Sequence, residues 1–214
     1  MRDEFRADLG EVTRMLVSMA EGVRTAMRDA TTALLAPDEA LAELVIARDA
    51  EINATYRLVE DRVYSLLAQQ APVASDLRLV LTALHMAGDL ERMGDLADHV
   101  ARTARRRLPG CAVPEVLTDV FRQMGDIADR VASKIARALS AADAVAAARL
   151  EQDDDAMDEL HRTLFKIMFS SDWTEGTEAA VDTALLGRFY ERYADHAVNV
   201  GRHVVFLVTG EALG

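Results

Sequence analysis

Two stretches of this chain carry side chains whose types and spacing suit them to chemistry. The first is Leu90-Glu91-Arg92-Met93-Gly94-Asp95-Leu96-Ala97-Asp98-His99-Val100, and the second is Tyr190-Glu191-Arg192-Tyr193-Ala194-Asp195-His196-Ala197-Val198-Asn199-Val200. Both read Glu-Arg-x-x-Asp-x-x-x-(His or Asn)-Val. Residues four apart stack on one helical face, so each copy sets Glu, Asp and then His or Asn in a single column. Two carboxylates in one column repel at neutral pH and need solvent, an arginine or a cation. The plain reading is a solvated acidic face compensated by Arg92 and Arg192. The duplication favours a second reading, because hard cations take oxygen ligands and a repeated carboxylate column supplies them.

Two shorter pairs echo these columns. Asp49 and Asn53 lie four apart, as do Asp154 and Asp158. The centres of Asp49–Asn53 and Glu91–Asp95 are equidistant from Pro72, and those of Asp154–Asp158 and Glu191–Asp195 are equidistant from the 171–176 segment. If those two points are turns between antiparallel helices, constant helical rise sets each pair of columns at one height on neighbouring helices. Each half then carries a patch of up to four oxygen-bearing side chains. The first patch has Asn53 for a carboxylate and is expected to hold a cation less tightly. His99, where the second copy has Asn199, reads as a nitrogen ligand or a tolerated change.

The elements that must position these groups are helices. Apolar residues recur at helical spacing over 3–35, 38–70, 73–107, 114–140, 143–170 and 177–209. The first stripe is Leu9, Val12, Leu16, Met19, Val23, Met27, Ala30 and Leu34. The last is Val181, Leu185, Phe189, Ala197, Val200, Val204 and Leu207, which turns Glu191 and Asp195 outward. Asp38 is a candidate N-cap and Gly210 a candidate C-cap. The arginines at 102, 105, 106 and 107 suit the macrodipole at a helix C-terminus. The run Glu151-Gln152-Asp153-Asp154-Asp155 reads mostly as a solvated face. The clear break is Leu108-Pro109-Gly110-Cys111-Ala112-Val113-Pro114, which leaves three helices in 1–109 and three in 113–214. The fold class is all-α.

Composition narrows the function. The chain has 214 residues, half of them hydrophobic, only 5% aromatic, and a net charge of −12. That charge argues against binding nucleic-acid phosphates or an anionic membrane. The single cysteine, Cys111, excludes an intrachain disulfide and fits a reducing compartment. The N-terminus lacks an apolar signal region and no stretch reaches membrane-spanning length, so the chain reads as cytoplasmic. No nucleophile–base pair, phosphate-cradling glycine loop or Cys/His metal signature appears. A carboxylate-bridged di-metal oxidase wants two Glu-x-x-His motifs, whereas this chain offers only Asp158-Glu159-Leu160-His161. A metal-free structural adaptor is the other alternative.

Taken together, Asp49-x-x-Ile52-Asn53, Leu66-Leu67-Ala68-Gln69-Gln70-Ala71-Pro72-Val73-Ala74-Ser75-Asp76-Leu77-Arg78, Asp89-Leu90-Glu91-Arg92-Met93-Gly94-Asp95, Asp154-Asp155-Ala156-Met157-Asp158, Glu191-Arg192-Tyr193-Ala194-Asp195-His196 and Val208-Thr209-Gly210-Glu211 resemble the PhoU family over nearly the whole chain. The resemblance implies two tandem three-helix repeats, 1–109 and 113–214, and a cytoplasmic regulator of phosphate homeostasis, not an enzyme. It implies restraint of uptake by the Pst ABC transporter through its ATPase subunit, repression of phosphate-starvation signalling through the sensor histidine kinase, and a homodimer that meets the membrane only through partners. It also implies Glu/Asp-x-x-x-Asp motifs that bind iron, zinc, manganese or magnesium. These fall on Glu91 and Asp95, Glu191 and Asp195, and Asp154 and Asp158. Asp49 matches the pattern as well, while Asn53 departs from it.

Overall fold

Ala, Leu and Arg are the commonest residues and favour long helices, and the four prolines fall between the expected helices or, as Pro114 does, at the first position of one. The computed structural model, which describes residues 2–70 and 75–210, resolves this pattern into α1 (Arg2–Leu35), α2 (Glu39–Gln70), α3 (Ser75–Arg106), α4 (Thr118–Ala141), α5 (Ala144–Ala148), α6 (Leu150–Met168) and α7 (Gly176–Thr209). A 3₁₀ turn, Glu115–Leu117, leads into α4. Asp38 accepts the Leu41 N–H at 2.9 Å and so caps α2. Gly210 ends α7 in the left-handed region, its N–H bonded to the Phe206 carbonyl. The expected helix over 143–170 is broken at Arg149 into α5 and α6. There Asp143 accepts the Val145 and Ala146 N–H groups and starts a separate short helix. Pro72 and its turn lie outside the described residues.

The central layer is made by α1 and α3 from the first half with α4 and α7 from the second. Helix α2 packs outside α1 and α3, and α6 packs outside α4 and α7. One apolar core runs through both halves. Tyr190 and Tyr193 of α7 are fully buried in it. The Tyr193 hydroxyl donates to the Val23 carbonyl at 3.1 Å, and the Tyr190 hydroxyl meets Thr31 Oγ1 at 2.7 Å. Burying each ring stabilises the α1–α7 contact by about 2–3 kcal/mol, and the hydroxyl bonds fix its register.

The stripe expected on α1 is buried throughout except for the half-buried Leu9. On α7 the expected stripe is partly wrong. Val181 and Leu185 are 53% and 47% exposed, and burial goes to Asp182, Leu186, Tyr190, Tyr193 and Ala194. The tyrosines carry more apolar area than the aliphatic residues they displace, so they set the helix rotation. Glu191 is thereby tucked to the helix flank, its side chain only 15% exposed, instead of facing outward.

Two groups of charges also differ from expectation. Arg106 and Arg107 do not simply compensate the α3 terminus. They hold Asp182 of α7 at 2.8 and 2.5 Å, and Arg107 also reaches Glu178 at 2.5 Å. In the acidic run, Asp153 is buried and bound by Arg130 and Lys134, which ties α6 to α4. Both are desolvated carboxylates with two basic partners each, the arrangement that buried acids require.

Candidate functional site

Helices α2 and α3 meet closely where Gly94 faces α2: a Cβ there would stand 3.1 Å from Ile52 Cδ1 and 3.5 Å from Asp49 Oδ1. This approach brings Asp49 to Glu91 and Asp95, as the equal heights predicted. Asn53 donates its amide to Asp49 Oδ2 at 2.8 Å, while Asp49 Oδ1 is buried with no hydrogen-bond partner. Burial raises the Asp49 pKa above the usual carboxylate value, and Asp98 and Asp95 raise it further, against Arg102 and the Asn53 amide. Burial, then Asp95, also raises Glu91, while Arg92 opposes. Arg92 pairs with Asp95 at 2.8 Å and with Glu91 at 3.5 Å, as the solvated-face reading expected of it.

Asp98 belongs to this cluster and was missed from sequence. It lies two turns beyond Glu91 on the same face, and that spacing was the available signal. Its side chain is buried, Arg102 donates to its Oδ2 at 2.5 Å, and its Oδ1 has no partner among the described residues. His99 stands at the edge of the cluster, its Nδ1 3.8 Å from Asp98 Oδ2. It leans on Phe189 of α7 at 5.3 Å between ring centres.

The second cluster sits between α6 and α7. Gly187 permits the approach, since a Cβ there would stand 2.6 Å from Leu164 Cδ1 and 3.0 Å from His161 Cδ2. Asp154 is half-buried, and its Oδ1 is sealed from water without a partner. Burial, followed by repulsion from Asp195, Asp158, Asp155 and Glu191, pushes its carboxyl up to about 6. Asp158 and Asp195 are exposed at the rim. Glu191 is paired by Arg188, not by Arg192 as expected, because Arg188 lies one turn back on the same flank. His161 Nε2 is a further buried atom without a hydrogen-bond partner, one turn from Asp158.

The structure therefore gathers Asp49, Glu91 and Asp95 in one cluster, and Asp154, Asp158, Glu191 and Asp195 in another. The buried oxygens of Asp49, Asp98 and Asp154 that lack a hydrogen-bond partner among the described residues are hard anionic donors, the donor type that suits magnesium, manganese, iron or zinc. Among the described residues no three His, Cys, Asp or Glu side chains already stand together as an ion-holding group. Like-charged oxygens do not close to ligating separations without a positive charge between them. No helix among the described residues is long and apolar enough to cross a membrane.

The PhoU domain model matches residues 16–104 and again 121–204, one match covering each carboxylate cluster. The chain is 44% identical over 98% of its length to the phosphate-specific transport system accessory protein PhoU homolog 2 of Mycobacterium tuberculosis, covering 99% of that protein. It is 31% identical to the PhoU homolog of Pseudomonas putida over 97% of this chain and 81% of that one. Its structure is similar to the crystal structure of PhoU from Pseudomonas aeruginosa, with TM-score 0.88, 30% identity, and coverage of 97% of this chain and 100% of that one. It is likewise similar to the phosphate transport system regulatory protein PhoU from Streptococcus pneumoniae, with TM-score 0.87, 26% identity, and coverage of 98% and 99%.

Proposed function

This chain belongs to the PhoU family, and from that premise we propose that it is a cytoplasmic, non-enzymatic accessory regulator of phosphate transport. In this reading it restrains a Pst-type transporter through the ATPase subunit and represses starvation signalling through the sensor histidine kinase. The two carboxylate clusters recruit iron, zinc, manganese or magnesium, and the chain acts as a homodimer. The observation that carries the reading is that the duplicated Glu-x-x-x-Asp columns meet a second acidic column in both halves, each at a glycine-permitted helix contact.

The residues that would hold an ion are Asp49, Glu91, Asp95 and Asp98 in the first half and Asp154, Asp158, Glu191 and Asp195 in the second. A bound cation adds to the charge of Arg92, Arg102 and Arg188, which leaves Asp49, Glu91 and Asp154 with raised pKa values. Asp154, with a carboxyl near 6, is ionised for most of the time at neutral pH and ready to ligate. The di-metal oxidase alternative finds little support, because Asp158 and Asp195 stand at an exposed rim and the sequence holds no Glu-x-x-His pair, only Asp158-x-x-His161.

The test is a pull-down of the full chain against the ATPase subunit and the sensor kinase, beside a variant with Glu91, Asp95, Glu191 and Asp195 all changed to Ala. Capture of either partner by the parent chain is the expected result, and reduced capture by the variant ties docking to the clusters. A folded parent chain that captures neither partner, in phosphate-rich and phosphate-poor conditions alike, overturns the regulator reading.

A further inference from the structure

Helices α3 and α7 repeat each other in the register that pairs Glu91 with Glu191 and Asp95 with Asp195. They run antiparallel, so each end of their interface joins the start of one helix to the finish of the other. One end is sealed by charge, with Arg106 and Arg107 of α3 on Asp182 and Glu178 of α7. In the same register, α3 carries Arg78 and Thr82 where α7 carries Glu178 and Asp182. Helix α7 carries Phe206 and Leu207 where α3 carries Arg106 and Arg107. The second end has thus exchanged its acids for an arginine and a hydroxyl, and the ion-pair seal is gone.

What stands there instead is a cleft of about 490 Å³, lined by Arg78, Thr82 and His85 of α3 and by Asn199, Arg202 and His203 of α7, with Leu81 and Phe206 as its apolar walls. No carboxylate among the described residues lines it, in a chain of net charge −12. Arg78 lies 5.1 Å over the Phe206 ring and has no carboxylate partner among the described residues. Arg202 is the repeat counterpart of Arg102, but Val198 replaces the Asp98 that holds Arg102. Arg202 is left with a 3.2 Å contact to Glu151 in which both side chains are about half exposed, a pair of little energetic weight. His85 and His203 stack at 5.6 Å, and Asp89 stands 3.7 Å from His203 Nε2.

Arg78, Thr82 and His85 from one wall and Asn199 and Arg202 from the other can donate hydrogen bonds, while His203 turns its Nε2 to Asp89. A carboxylate has two oxygens and one charge, too few for two guanidiniums, an imidazole, an amide and a hydroxyl. A phosphate monoester has three terminal oxygens and close to two negative charges, and arginine's fork matches phosphoryl geometry. The cleft volume lies in the range of small-molecule sites, far larger than one phosphoryl group needs. Leu81 and Phe206 offer an apolar face to the remainder of a ligand. We propose that this cleft binds a small phosphate monoester, its phosphoryl group between Arg78 and Arg202, thereby bridging the two halves of the molecule. The proposal rests on the cleft and not on the transporter reading.

The test is calorimetric titration of the full chain, in chelator so that no cation in the carboxylate clusters carries the anion. The probes are adenosine monophosphate, orthophosphate and citrate. The expected result is saturable binding of one adenosine monophosphate per chain, about tenfold weaker in Arg202→Gln, with citrate bound far less. Arg202 is exposed, so this variant keeps the fold, as circular dichroism checks. Glu151→Gln frees Arg202 and tightens binding a few-fold. Orthophosphate binding equally well, and lost in Arg202→Gln, supports the phosphoryl site and assigns it to free phosphate. Absence of saturable binding by either phosphate, binding unchanged in Arg202→Gln, or citrate binding as well as the phosphates overturns the proposal.

Discussion

The two carboxylate clusters are built on one plan and differ in how their charge is balanced. In the first half, Asn53 stands where the second half has Asp158, and Arg102 reaches in to bind Asp98. In the second half, Val198 replaces Asp98, Arg202 lines the α3–α7 cleft and pairs with Glu151, and burial and the carboxylates around Asp154 all raise its pKa. The first cluster sets a guanidinium on its most buried carboxylate, Arg102 on Asp98, whereas the guanidinium of the second, Arg188, pairs with Glu191 and leaves Asp154 without a counter-charge. Carboxylates left uncompensated hold the folded chain at a cost that an external cation removes. We propose that the second half is on this ground the stronger cation site, the first being partly satisfied from within.

The largest expected effect comes from removing the second column. Glu191→Gln with Asp195→Asn should weaken the tighter class of cation site by about 100-fold, or roughly 2.7 kcal/mol. The matching Glu91→Gln with Asp95→Asn should leave that class intact, as a metal titration will read. Next, Arg102→Ala should erase the difference between the halves. It leaves Asp98 buried without its partner and costs about 2 kcal/mol of stability, discounted because the guanidinium is half exposed. Chemical denaturation measures this loss, and added manganese should recover it in this variant more than in the parent.

Asp154→Asn should act in the opposite sense. The folded-state value for Asp154, about 6, lies above the ordinary 3.8, so the folded chain binds this proton more tightly than the unfolded chain. Its contribution to stability is full below pH 3.8 and is lost as pH rises to about 6. Removing the charge should stabilise the cation-free protein at pH 7 by about 1 kcal/mol, after discounting for solvent screening. It should also flatten the stability profile between those pH values. The smallest change is Asn53→Asp, which should tighten the first site only a few-fold while Arg102 remains.

Much of this contrast was legible in the sequence. The duplicated columns, the meeting of Asp49 with Glu91 and Asp95, and Asn53 in place of a carboxylate in the first half follow from residue types and spacing, because helical rise is constant. Helix rotation was less legible. Val181 and Leu185 matched the helical period on α7, but Tyr190 and Tyr193 bury more area and turned Glu191 toward α6. Long-range charge partners were not legible either. The pairing of Arg106 and Arg107 with Asp182, or of Arg130 and Lys134 with Asp153, depends on which helices adjoin, and local spacing carries no such information. Asp98 could have been found by extending the Glu91 column one more turn.

The most direct experiment is a manganese titration of the chelator-treated protein, followed by the paramagnetic signal of free ion, for the parent chain and the two double variants. Two classes of site are expected, with the tighter one absent from Glu191→Gln/Asp195→Asn and retained in Glu91→Gln/Asp95→Asn. A Glu191→Gln/Asp195→Asn protein that titrates like the parent chain would contradict the assignment of the second cluster as the principal cation site.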